Sequence, residues 1–235
     1  MFKELFNLNN YHYNPHAVPV MLAGLLVFLI GVFILLQTKK TTRNVAFFFF
    51  CMSLGLWLFP MGFVYCANNP QTALLWYKHF VFFGVLNIMP NFYLFSTATS
   101  GFLNKQRYFV WAGFIASNLF YLATVLTDKI ITTPRLYFWG YFPRYRPLTA
   151  VFFIVYAILF TVSEINLWIA YKREEVPIKR SQILIIFFGL IIGFMASFDF
   201  VAKLWPIPLY PFGFIPSFIL SSLVAYAVIK HKAFD

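Results

Sequence analysis

Seven apolar stretches, separated by short polar segments, take up almost the whole sequence. A helix rises about 1.5 Å per residue and bilayer hydrocarbon is about 30 Å thick, so roughly 20 apolar residues span it. The stretches at 17–36, 45–67, 73–102, 108–126, 148–171, 181–205 and 212–229 meet or approach that length. They are read as seven passes of one domain over residues 1–235. Each stretch is apolar on all faces, whereas strands of a membrane β-barrel would alternate apolar and polar residues over about ten positions. The predicted class is therefore an all-α membrane protein, a seven-transmembrane helix bundle. Turn signals divide the passes. Pro19 stands in the first turn of the first, Asn68-Asn69-Pro70 closes the second, and Pro206-Ile207-Pro208-Leu209-Tyr210-Pro211 joins the last two. The only long loop, 127–147, holds Tyr137-Phe138-Trp139-Gly140-Tyr141-Phe142, a composition suited to a membrane interface.

Composition agrees with a bilayer as the solvent. With 61% hydrophobic and 11% charged residues and a mean hydropathy of +0.76, a water-soluble fold would expose apolar surface over most of its exterior. The net charge of +11 is distributed by side: eleven Lys and Arg (39, 40, 43, 105, 107, 172, 173, 179, 180, 230, 232) flank one end of the passes, and five (3, 129, 135, 144, 146) the other. Retention of positive charge in the cytoplasm places the amino terminus outside and the carboxyl terminus inside. Topology and anionic lipid headgroups account for the charge, which leaves no call for nucleic acid as a partner. Residues 1–15 are polar and aromatic, unlike the basic start of a cleaved signal peptide, so the first pass is a true span. Cys51 and Cys66 stand about 22 Å apart on one predicted helix, too far for a disulfide.

Polar residues inside the passes are the candidates for function, because an ionised group near the bilayer centre costs about 2.5 to 3.5 kcal/mol on insertion scales. Four are ionisable: Lys78, Glu164, Asp199 and Lys203. Asp199 and Lys203 are four apart on one helix and can pair, either as a local salt bridge that helps insertion or as part of a site; Lys78 is the alternative partner, and Lys203 also lies where it could snorkel. Glu164 has no basic residue within a turn and reads either as a protonated glutamate bonded across helices or as a proton-linked or ligand-contacting group. Gly84, Asn87 and Asn91 share a face beside Pro90, which predicts a kink, and the two carboxamides read as interhelical glue or as the wall of a polar pocket. Gly189, Gly193 and Ser197 make a small-residue ladder for packing.

Catalytic chemistry has no counterpart in the sequence. There is no nucleophile beside a base, no phosphate-binding glycine loop and no zinc spacing; His79 reads as interfacial, and His12 and His16 lack partners. Neither a catalytic, a cofactor nor a metal site is expected, and the protein is not expected to be an enzyme. The seventh pass has no lysine for a retinal linkage. The polar residues of the third pass have no match in the seventh, which speaks against an inverted-repeat transporter.

The order of features resembles the seven-transmembrane input domain at the amino terminus of bacterial sensor histidine kinases, over nearly the whole chain. The resemblance rests on Asn14-Pro15-His16-Ala17-Val18-Pro19, Leu56-Trp57, Gly84 through Pro90 to Phe95, Tyr137-Phe138-Trp139-Gly140-Tyr141 and Ile207-Pro208-Leu209-Tyr210-Pro211-Phe212-Gly213. It implies a membrane-embedded sensory domain of a two-component system in a bacterial inner or plasma membrane. The sequence runs to Lys230-His231-Lys232-Ala233-Phe234-Asp235 with no phosphoacceptor helix, so the expectation is an input domain without its own kinase module. The expected partners are the lipid bilayer, an apolar or amphipathic ligand, a cytoplasmic kinase or other effector in cis or trans, and a second copy of the chain. The alternative is a small multi-pass transporter or channel that uses Glu164 and Asp199.

Overall fold

The computed structural model describes residues 2–201 and 208–230. Its helices are α1 (Ala17–Gln37), α2 (Thr42–Cys66), α3 (Pro70–Thr99), α4 (Leu103–Leu126), α5 (Leu148–Arg173), α6 (Pro177–Phe200) and α7 (Phe214–Lys230). The first six are long and apolar enough to cross a membrane, and residues 214–229 form a shorter apolar helix, in keeping with a seven-helix transmembrane bundle. Several helices begin before their hydrophobic stretch. The backbone keeps its hydrogen bonds beyond the hydrocarbon edge, so α4 takes in Lys105 and Arg107 and α6 takes in Lys179 and Arg180.

Caps set some of these starts. The Asn69 carboxamide oxygen accepts from the Thr72 amide at 2.8 Å ahead of Pro70, and the Thr41 hydroxyl accepts from the Asn44 amide at 3.3 Å before α2. Each satisfies an amide that the helix itself leaves unpaired. Pro90 lies inside an unbroken helical stretch of α3. The same helix carries a π-helical turn over Tyr77–Val81.

The helices follow one another around a ring in the order α1, α2, α3, α5, α6, α7, with α7 returning to α1 and α4 leaning on α3 from outside. Helix α3 is the most enclosed. Buried positions make up 78% of its apolar window, against 22% for α4 and for α5, which explains how it can carry carboxamides at membrane depth. Close approach is built on small residues. A Cβ at Gly31 would lie 2.6 Å from Cys51 Cβ on α2, and one at Gly84 would lie 2.5 Å from the Trp57 nitrogen. Gly193 in the same way meets Leu220 of α7.

One connection of the helical bundle is not helical. The loop after α4 folds into an antiparallel hairpin, β1 (Ile131–Tyr137) and β2 (Gly140–Tyr145), registered from Ile131 opposite Tyr145 to Tyr137 opposite Gly140. Its register slips between Thr132 and Arg135, where Pro134 has no amide to donate. The hairpin rests on the ends of α2 and α3. The N-terminal segment reaches the same face, with Tyr11 bridged to Ala67 and the His12 amide bonded to the Cys66 carbonyl at 2.9 Å. The bundle therefore has a hairpin face and, at its other end, a face carrying Lys39, Lys40, Arg43, Lys105, Arg107, Lys172, Arg173, Lys179 and Arg180.

Candidate functional site

At the end of α6 the helix tightens into a 3-10 turn over Met195–Ser197, which carries Asp199 into the interior at 4% exposure. Its carboxylate accepts from two backbone amides that open α7, Phe212 N at 3.0 Å on Oδ1 and Gly213 N at 2.7 Å on Oδ2. These charge-assisted bonds place negative charge at the positive end of the helix dipole. Gly213 is required by this approach, because a Cβ there would stand 2.6 Å from Oδ2 and 3.0 Å from the Trp57 ring. Trp57 lies 5.5 Å from Phe200, centroid to centroid. Together with Asp199, Tyr65, Phe142 and Phe214 it lines a cavity of about 10 Å³, room for a single water.

Three connections close this centre against the hairpin face. The hydroxyls of Tyr77, in the π-helical turn of α3, and Tyr145, in β2, share a 2.6 Å hydrogen bond. The buried Asn14 carboxamide donates to the carbonyls of Tyr65 and Trp139, both at 2.9 Å, so one side chain ties the N-terminal segment to α2 and to the hairpin tip. Gly140 adopts φ +124°, and a Cβ there would lie 2.6 Å from Tyr65 Cα. This is a backbone conformation and a proximity that only glycine accepts without strain. Trp139 is consequently fully buried, stacked on Tyr137 at 4.6 Å and set edge-on to Tyr210 at 5.8 Å. Above it His16, Phe138 and Tyr210 touch one another at 5.4 to 6.4 Å between ring centroids. Burial, reinforced by the Asp199 carboxylate, pushes the Tyr210 phenol up.

The residues singled out in the sequence, Lys203 apart, each have a definite place. Asp199 is the hub just described. Lys203 lies outside the described residues, so the Asp199 to Lys203 pairing is not part of this description. Lys78 is not the alternative partner of Asp199: its ammonium bonds Asp128 at 2.8 Å and the Thr127 carbonyl at 3.2 Å, at the end of α4. That bond holds the exposed Asp128 carboxyl below the usual carboxylate range.

Asn91 donates across the helix boundary to Ser53 Oγ at 2.9 Å, whereas Asn87 donates to the Phe83 carbonyl of its own helix. The two carboxamides therefore do different work. Asn91→Leu should cost about 0.6 to 1.7 kcal/mol in detergent melts, in the range of interhelical bonds, and Asn87→Leu close to nothing. Equal losses would contradict this division. Glu164 is remote from the hub, on the stripe of α5 that also carries Phe160 and Trp168, whose rings meet Phe194 and Phe187 of α6. Both of its carboxyl oxygens are shielded and lack a hydrogen-bond partner among the described residues.

Asn14, Tyr65, Tyr77, Trp139, Gly140, Tyr145 and Gly213 carry the hub yet received no role from the sequence. The signals were present, in an Asn-Pro pair ahead of the first pass, a Trp-Gly pair in the long loop and a Phe-Gly pair ahead of the last pass. No group of three His, Cys, Asp or Glu among the described residues could hold a metal. What the arrangement can do is mechanical: it joins the N-terminal segment, α2, α3, the hairpin and α6 to the amides just ahead of α7.

In a comparison with known families, the family described as the N-terminal 7TM region of histidine kinase matches residues 19–235. No curated protein and no solved structure matches the chain.

Proposed function

Since the chain belongs to the family of the N-terminal 7TM region of histidine kinase, we propose that it is a non-enzymatic sensory input domain in which a signal reaches the hairpin face and is passed along α7 to a cytoplasmic kinase or other effector. The observation that carries this reading is the Asp199 hub. Its carboxylate holds the amides just ahead of α7, the residues around it belong to α1, α2 and the hairpin, and Asn14 and Tyr77 tie the N-terminal segment and α3 to that same α2 and hairpin. A ligand that loosened or tightened this plug would change how α7 begins, and a helix is stiff enough to carry that change to its far end. The far end is also tied, through Gln182 of α6 donating to the Ala227 carbonyl at 2.8 Å. Movement of α7 relative to α6 would therefore be felt among the basic residues.

In this reading the hairpin face is extracytoplasmic and the basic face cytoplasmic, in a bacterial plasma membrane. Cysteines at Phe138 and at Val176 test it. Both positions are exposed, at 72% and 45%. An impermeant thiol reagent should label the first in intact cells and the second only after permeabilisation; the reverse pattern would overturn the orientation. A transport role would need a polar path joining Glu164 to Asp199, and the cavity at Asp199 is bounded by Trp57, Phe142 and Phe214 without Glu164. Solute flux through proteoliposomes containing the purified chain would speak for the transporter over the sensor.

A further inference from the structure

We propose that the cleft between α5 and α6 binds an uncharged single-chain amphiphile, such as a long-chain alcohol or ester, that enters sideways from the bilayer. The cleft has a volume of about 460 Å³ and is walled by Phe153, Tyr156 and Ala157 of α5 and Phe194, Met195 and Ser197 of α6. That size falls within the range of about 300 to 1,000 Å³ typical of small-molecule sites, and the lining fits their pattern of apolar walls with a few polar groups. The polar groups are the hydroxyls of Tyr156 and Ser197, neither of which makes a hydrogen bond among the described residues. At membrane depth no water answers an unmatched hydroxyl, so an occupant carrying one hydrogen-bonding group has more to offer than a plain acyl chain.

Charge sets the class of head group. No charged side chain among the described residues lines the cleft, so an ionised carboxylate or phosphate placed against these walls would lose its hydration and gain no partner from them. Ser197 lies in the 3-10 turn just before Asp199, on the side of the hairpin face, whereas Ile191 and Ala157 lie deeper. The head group accordingly points toward the hairpin face and the chain toward the membrane centre.

The cleft also leads inward. Tyr156 and Phe194, with ring centroids 6.2 Å apart, wall a small inner space of about 20 Å³ that Trp57 and Ser217 also border. Phe153 lies 5.9 Å from Phe200, the ring that faces Trp57. An occupant would thus press on rings that adjoin the Asp199 hub. The binding claim itself does not need the sensory reading, and a binding measurement separates the two.

The test uses the purified full chain in phosphatidylcholine nanodiscs, with a long-chain alcohol carrying a mid-chain diazirine as the probe. Adducts are expected on residues 150–157 and 191–198, displaced by unlabelled alcohol and not by the matching carboxylate. Filling the cleft by Ala157→Trp, or by Met195→Trp should the first fold poorly, is expected to cut specific labelling roughly tenfold, while Leu119→Trp on the outer face of α4 leaves it unchanged. Tyr156→Phe combined with Ser197→Ala should raise the half-saturating concentration roughly fivefold or more, as two hydrogen bonds are lost. Labelling spread evenly over every lipid-facing helix, or untouched by cleft filling in a folded variant, would mean bulk lipid alone and would overturn the proposal. Equal competition by the carboxylate would overturn the uncharged head group.

Discussion

Asp199→Ala should destabilise the detergent-solubilised protein by about 2 to 4 kcal/mol, because two amides at the start of α7 lose their acceptor in a site that water barely reaches. The loss also removes the negative charge that the helix dipole favours there. Asp199→Asn keeps one carboxamide oxygen as acceptor and should lose less. Thermal melts measure the total, and hydrogen exchange localises it: the amides of Phe212 and Gly213 should be the first to lose protection, ahead of those of α3. A variant that melts like the parent would show that the α7 amides are satisfied without the carboxylate.

Gly140→Ala should undock the hairpin. A φ of +124° costs a side-chain-bearing residue about 1 to 3 kcal/mol. The added methyl would further meet the Tyr65 backbone, at 2.6 Å from Cα and 2.7 Å from the carbonyl oxygen, and a backbone cannot swing aside as a flexible side chain could. Relief requires the tip to lift. That draws Trp139 out of its pocket and breaks the Asn14 bond to the Trp139 carbonyl. Amides of residues 131–145 should then exchange at least roughly tenfold faster, the factor that corresponds to about 1.4 kcal/mol of lost local stability. Unchanged protection in the hairpin would mean that the tip is not held by this contact.

The helices were legible because their signal is long and redundant. About 20 apolar residues in a row admit one interpretation, and no single substitution in α1 or α5 would hide it. The hairpin was not legible, since Phe138-Trp139 does not resemble the Asn-Gly or Asp-Gly pairs that mark tight two-residue turns, and an aromatic run also suits a membrane interface. The site was legible only as chemistry. Asp199 stood out as an ionisable residue within an apolar pass, but its acceptor role toward the backbone amides on the far side of a connection could not be read from side-chain spacing. Backbone donors leave no trace in residue type. Lys78 finds its partner in Asp128 on the far side of another helix, a pairing that no spacing within one helix could show.

The central claim is that the hub on the hairpin face sets the position of α7, so that a change at the hairpin is felt at the basic end. Spin labels at Ile229 of α7 and Ile165 of α5, both about half exposed, report that end directly. A control pair at Leu22 and Leu119 reports the rest of the bundle. In lipid bilayers, introducing Gly140→Ala should shift the 229 to 165 distance distribution by about 1 to 2 Å or more, the scale of helix shifts in switching proteins, and leave the control pair unchanged. If the hairpin loses its exchange protection and the 229 to 165 distribution stays where it was, the hub does not govern α7.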